Sequence, residues 1–186
     1  RPAARQAAAI RARTSATRSA MDGGTEAGEE GDMNLSAGYS AEARALWDVA
    51  TALNRAAAAV SPRAAALPPL LFFTDPARTP RPWEAAARLP AGSAVVFRAF
   101  GASDAVETGR RLRAATRAAG VRLLVGWDLD LARTIAADGL HLPERTAMAA
   151  PALRAAWPDA VMTAAWHGKE TPPIAGLDAL ILSPVF

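Results

Sequence analysis

The sequence predicts an α/β fold of the (β/α)8 TIM-barrel class, truncated after strand six and preceded by a disordered tail and one N-terminal helix. Three observations predict it. Short apolar runs without in–out alternation recur at roughly 20 to 28 residues between residues 67 and 183, as strands of a sheet buried on both faces do. Helical stretches separate these runs, which makes successive strands parallel and puts the helices outside. No Gly-x-Gly-x-x-Gly follows a strand and no Gly-x-x-x-x-Gly-Lys-[Ser/Thr] occurs, which weakens the nucleotide-binding open sheets that share the alternation.

Residues 1–39 form the predicted disordered tail. Arg1 to Ala20 holds five Arg and no acid, while Met21 to Asp32 carries Asp22, Glu26, Glu29, Glu30 and Asp32 among glycines. Neither half can bury enough apolar area to order itself. The basic, acid-poor start has the composition of an organelle transit peptide. The chain lacks an initiator Met, however, so an untrimmed upstream tail with Met21 or Met33 as the true start is the better reading.

The N-terminal helix spans residues 40–62, with Ser40 as its N-cap, Leu46, Val49, Ala50, Leu53 and Ala57 on one stripe, and Ser61-Pro62 as its stop. The partial barrel occupies 67–186. Its first strand lies in LPPLLFFTD (67–75), ended by Asp75-Pro76, and a Pro-started helix covers 82–88. SAVVFRAF (93–100) is the second strand, 103–119 a helix stopped by Gly120, and VRLLVG (121–126) the third strand. A helix over 129–136, the strand DGLHL (138–142) and a helix over 148–156 follow. DAVMTAA (159–165) and LDALILS (177–183) complete the six. Between the last two, Pro172-Pro173 cannot sit in a helix interior, so the crossover helix there is shortened or absent.

Composition limits the function classes. A chain of 186 residues, 51% hydrophobic, supports one domain, although Ala supplies much of that fraction. With no Cys there is no disulfide or thiolate chemistry, in keeping with a reducing, cytoplasmic setting. The apolar runs are strand-sized, so no membrane span is expected. The net charge of +3 is small, and residues 69–186, with 13 basic and 11 acidic side chains, are close to balanced. Without a basic stripe interleaved with aromatics, nucleic acid is not an expected partner. A homo-oligomer is left open.

In a β/α barrel the residues just after each strand converge on one face. Here they are Thr74-Asp75, Arg98, Trp127-Asp128, His141, Trp166-His167 with Lys169, and Ser183 onward, a set holding both histidines and the single lysine. Taken alone, His141 reads as a histidine satisfied near the rim. His167 is the better candidate for chemistry, because it follows a buried strand beside Trp166 and a Gly-Lys pair.

Two motifs carry a family resemblance: Ala-Asp-Gly-Leu-His-Leu (137–142) is similar to Ala-Asp-Gly-Val-His-Leu, and Ser-Pro-Val-Phe (183–186) to Gly-Pro-Val-Phe, of the thiamine phosphate synthase family and its thiazole tautomerase relatives. The resemblance runs from about Leu70 to Phe186. It implies a (β/α)8 barrel that joins a pyrimidine pyrophosphate to a thiazole phosphate with Mg2+, or that isomerises a thiazole carboxylate phosphate without metal. Carried over residue by residue, the family's Arg-x-Lys after strand two becomes Arg98-Ala99-Phe100. Its Asn-Asp after strand three, the Asp a Mg2+ ligand, falls on Gly126-Trp127, and its second acidic ligand on Thr146. Its Ser after strand five falls on Ala165, and its His is matched by His167.

These losses favour the isomerase branch. Expulsion of pyrophosphate needs Mg2+ on hard oxygen ligands, and Asp128 is displaced from the ligand position by about 3 Å of chain. His167 is therefore the expected catalytic residue, with Arg98, Asp128, His141, Lys169 and Ser183 expected to bind a phosphorylated thiazole. No metal site and no cofactor are expected, Mg2+ entering only if the chain is a divergent synthase using Arg98 and Asp128. The remaining alternative is a non-catalytic barrel that binds a phosphorylated ligand or a protein partner. The phosphate loops after strands seven and eight would lie beyond Phe186.

Overall fold

The structure, a computed structural model, describes residues 38–168 and 174–183. The tail up to residue 37, Lys169, the Pro172-Pro173 step and Pro184-Val185-Phe186 lie outside the described residues.

Helix α1 (Ala41–Val60) starts where expected, the Ser40 hydroxyl accepting the Ala43 N–H at 3.2 Å, and a short 3-10 helix (Pro62–Ala66) follows it. Its stripe, however, is not the face the fold buries. Trp47 and Thr51 are buried, while Leu46, Val49 and Leu53 are 59%, 58% and 67% exposed. One Trp offers more area than any aliphatic neighbour, so its docking sets the rotation of the helix. Asn54 ties the helix onward by donating to the Leu67 carbonyl at 3.1 Å.

The alternation then runs β1 (Leu71–Phe73), α2 (Pro82–Ala86), β2 (Ala94–Phe97), α3 (Ala105–Ala118), β3 (Arg122–Gly126), α4 (Leu129–Thr134), β4 (Gly139–Leu142), α5 (Ala150–Ala156), β5 (Val161–Trp166) and β6 (Ala179–Leu182). All six strands are parallel and lie in sequence order β1-β2-β3-β4-β5-β6. Most elements are a few residues shorter than expected, β2 ending at Phe97 and α4 at Thr134 for example, and two of the differences have a clear local cause. β1 begins only at Leu71, because Pro68 and Pro69 have no N–H to give a ladder. A 3-10 helix over Glu144–Ala149 precedes α5, so the turn after β4 is tighter than a continuous helix would make it.

The sheet is curled. In a flat sheet β1 and β4 would stand about 14 Å apart, three strand spacings. Yet the rings of Phe73 and His141 meet edge to face with centroids 5.1 Å apart. Residues of the two faces separate by alternation: Val95, Phe97, Leu123, Val125, Leu140, Leu142, Met162 and Ala164 join Leu112 of α3 and Leu131 of α4 in the outer core. Phe73, Val96, Leu124, His141 and Thr163 take the concave side. This is the α/β architecture of a partial TIM barrel. Among the described residues no helix is long and apolar enough to cross a membrane.

Two aspartates at the lower strand ends fix the register. Asp138, just before β4, takes both guanidinium nitrogens of Arg113 at 2.6 Å and the Leu123 N–H of β3 at 2.8 Å. Asp178, just before β6, repeats the arrangement with Arg154 at 2.6 Å and the Met162 N–H of β5 at 2.8 Å. Beside the first bracket Gly139 leaves no room for a side chain, since a Cβ there would lie 1.9 Å from the Val161 carbonyl oxygen.

Gly139→Ala should therefore destabilise the protein by about 3 kcal/mol or more in denaturant unfolding. Asp138→Asn should cost about 1–3 kcal/mol through the lost charge-assisted bonds. Gly38→Ala, where a Cβ meets nothing within 4 Å, should stay within about 0.5 kcal/mol of wild type. A Gly139→Ala protein as stable as the Gly38→Ala one would contradict the close approach of β4 to β5.

Candidate functional site

Parallel pairing delivers the residues that follow each strand to the same end. Thr74 and Arg98, after β1 and β2, lock together: the Thr74 hydroxyl accepts the Arg98 N–H at 2.9 Å, and Arg98 Nε donates to the Thr74 carbonyl at 2.7 Å. The guanidinium lies 5.8 Å from the ring centre of Phe73 and 5.4 Å from that of Phe100, with Asp75 3.7 Å away. Arg98 is thus a cation held on a fixed backbone between two aromatic faces.

His141 sits one step further round the curl. Register pairs it with Gly126 on one side and Thr163 on the other. Gly126 leaves space, and Thr163 supplies a hydroxyl 2.9 Å from Nδ1. Burial pushes the imidazole pKa down to about 4, and the nearby Arg98 charge adds to the fall. His141 is therefore neutral at physiological pH.

Around these two residues opens a cleft of about 390 Å3, within the range of small-molecule sites. Gly126 and Ala165 make it roomy, Arg98 and Arg145 make it cationic, and Phe100 and Trp127 stand at its mouth. Asp128 also borders it, but Oδ1 accepts the Leu131 N–H at 2.8 Å and so caps α4. A larger hollow, about 530 Å3, opens at the opposite strand ends. Its Asp138, Asp178 and Arg154 are engaged in the register brackets, so the cleft at the upper end is the better ligand site.

The expected residues are only partly brought together. Arg98, Asp128 and His141 share the cleft. His167 is not part of its lining; Nδ1 pairs with Glu144 Oε2, the His167 N–H reaches Glu144 Oε1 at 3.3 Å, and the imidazole is 44% exposed. Ser183 is exposed just past β6, its N–H donating to the Trp166 carbonyl at 3.1 Å. Lys169 lies outside the described residues.

Glu144 is the residue sequence reasoning missed. The signal was available, because β4 and β5 are neighbours and an acid two residues past β4 reaches the residue that follows β5. Phe100 and Trp127 were read only as losses, whereas both line the cleft.

Among the described residues, the two positions expected to hold Mg2+ offer it no carboxylate. Thr146 bonds its own turn at the Pro143 carbonyl, 3.0 Å away, and Trp127 has no oxygen to offer. Among the described residues no three His, Asp or Glu side chains are grouped to hold a metal ion.

Comparison with known proteins gives a family. A family model described as thiamine monophosphate synthase matches residues 71–186. Among solved structures, thiamine phosphate pyrophosphorylase from Pyrococcus furiosus is similar with a TM-score of 0.51 and 24% identity, over 63% of this chain and 60% of its own. The chain thus spans 60% of that protein's length, and the likeness bears on the fold. Orotidine 5′-monophosphate decarboxylase from Sulfolobus solfataricus gives a TM-score of 0.43 and 12% identity, over 60% of each chain. A search of curated protein sequences finds no match.

The depressed His141 pKa makes stability depend on pH. In the unfolded chain the group binds a proton below its ordinary value of 6.5, in the folded chain only below about 4. Stability is therefore highest above that window and falls as pH drops through it, by on the order of 1–3 kcal/mol at full protonation. Unfolding midpoints measured from pH 7 to 5, above the carboxylate range, should fall more steeply for wild type than for His141→Asn. Parallel profiles would show that His141 is not the group responsible.

Proposed function

Because the chain belongs to the thiamine monophosphate synthase family, we propose that it acts on a phosphorylated thiazole as a metal-independent isomerase, with His167 carrying the proton. The observation that supports this reading is the His167–Glu144 pair beside a cationic cleft. A neutral imidazole that donates its Nδ1 hydrogen to the carboxylate keeps a lone pair on Nε2. That atom can take a proton from one ring carbon and return it to another, so the substrate gains and loses one proton and the enzyme ends unchanged.

Arg98 meets the anionic group of the ligand, and His141, uncharged and held by Thr163, offers a hydrogen bond without adding charge. Lys169 and Ser183 are the further phosphate contacts of this reading. The synthase alternative, which joins a pyrimidine pyrophosphate to a thiazole phosphate, needs a metal for which Asp128 is the main oxygen donor. That carboxylate is engaged in capping α4, so the synthase reading is the weaker one. A second reading has one observation of its own: His167 is outside the cleft lining, which favours a non-catalytic barrel that binds the phosphorylated ligand.

His167→Asn should lower isomerisation of a thiazole carboxylate phosphate by about 10²- to 10⁴-fold, the usual worth of a positioned acid–base group. Ligand affinity should stay within a few fold. Glu144→Gln should give a smaller loss, and chelator should change nothing. Binding without isomerisation in wild type would replace the isomerase by the binding barrel. Product formed from pyrimidine pyrophosphate only with Mg2+ would restore the synthase.

A further inference from the structure

Among the described residues three that are not glycine have a positive φ: Phe100 at 49°, Trp127 at 50° and Ala136 at 52°. Ala136 has a local reason. It follows α4, where the Ala137 N–H closes on the Ala132 carbonyl at 2.8 Å and the Ala136 N–H on that of Arg133 at 3.1 Å, a helix end that demands a left-handed residue. The other two sit at the upper ends of β2 and β3, where no helix end requires it.

Phe100 is the first central residue of a turn closed by the Ala102 N–H on the Ala99 carbonyl at 3.0 Å, and Gly101, the second, has φ 77°. A turn with both central φ values positive normally takes Asn, Asp or Gly at that place, because an aromatic Cβ crowds the following carbonyl. Trp127 is pinned by its N–H to the His141 carbonyl at 3.0 Å and turns sharply before Asp128 caps the next helix. Glycine would relax both positions. Burial does not compensate either ring, since Phe100 is 73% and Trp127 47% exposed. Two strained aromatics on neighbouring strands border one cleft, with Arg98 against the Phe100 face at 5.4 Å. Strain of this kind persists at binding sites when the side chain it presents is used.

We propose that Phe100 and Trp127 are the specificity residues of the cleft: two flat walls that select a planar aromatic anion over a saturated one of the same charge, Arg98 taking the charge. This rests on the reading of the cleft as the site of a phosphorylated ring and adds what chooses that ring. A stacked aromatic partner contributes enough to favour a planar ligand roughly tenfold or more over a puckered ring of equal size. Left-handed backbone is the means of presentation, because it turns each side chain out of the strand direction at the point where the strand stops.

The test uses the full chain and three probes: phenyl phosphate, cyclohexyl phosphate and inorganic phosphate, titrated calorimetrically. Wild type should bind phenyl phosphate about tenfold or more tightly than cyclohexyl phosphate. Phe100→Gly with Trp127→Gly should erase that preference, leave inorganic phosphate affinity within about threefold and raise Tm, because both strained positions relax. Should the double glycine loosen the loops, Phe100→Asn with Trp127→Asn keeps a left-handed backbone without the rings and should lose the preference in the same way. Equal affinity of wild type for the two esters, or a preference that survives in both double variants, overturns the proposal while leaving the phosphate reading intact. Failure of wild type to bind any of the three overturns both.

Discussion

The register of the parallel sheet is the constraint on which the site depends, and Asp138 and Asp178 hold it from below. Side chains alternate along a strand with a period of two, so a slip of one residue would send His141 into the helix layer and Leu142 into the hollow. Each aspartate prevents this by binding a backbone N–H of the preceding strand and an arginine of the helix outside it at once. Strand, neighbour and helix are thereby tied at one point. Gly139 then brings β4 so close to β5 that His141 and Thr163 pair directly.

With register held, the two histidines diverge in character. His141 is enclosed by Phe73, Thr163 and the Arg98 charge, an environment in which an imidazolium is unwelcome. His167 stands in the open with a carboxylate on Nδ1. One imidazole is thus enclosed and held by a hydroxyl, and the other is exposed and held by a carboxylate.

How much of this was legible in the sequence follows from what each signal measures. The strands could be read because burial on both faces leaves a continuous apolar run, as in AVVF or RLLVG, that no surface element shows. Ser40 could be read because capping is local. The rotation of α1 could not, since Leu46, Val49 and Leu53 satisfy helical spacing as well as Trp47 does, and only the partner surface chooses between them. Nor could the His167–Glu144 pair be found by scanning strand ends one at a time, because it depends on which strands are neighbours. Asp128 is the opposite case: a spare carboxylate in the sequence, already engaged once the helix it caps is built.

The distance between brackets and cleft has an evolutionary consequence. Arg113, Asp138, Arg154 and Asp178 work at the ends where the strands begin, whereas Arg98, Phe100, Trp127 and His141 gather where they finish. Substitutions at the finishing ends leave the brackets untouched, and the exposed Phe100 and Trp127 lie outside the buried core. A barrel built this way can change what its cleft prefers without first giving up the contacts that hold its strands in register.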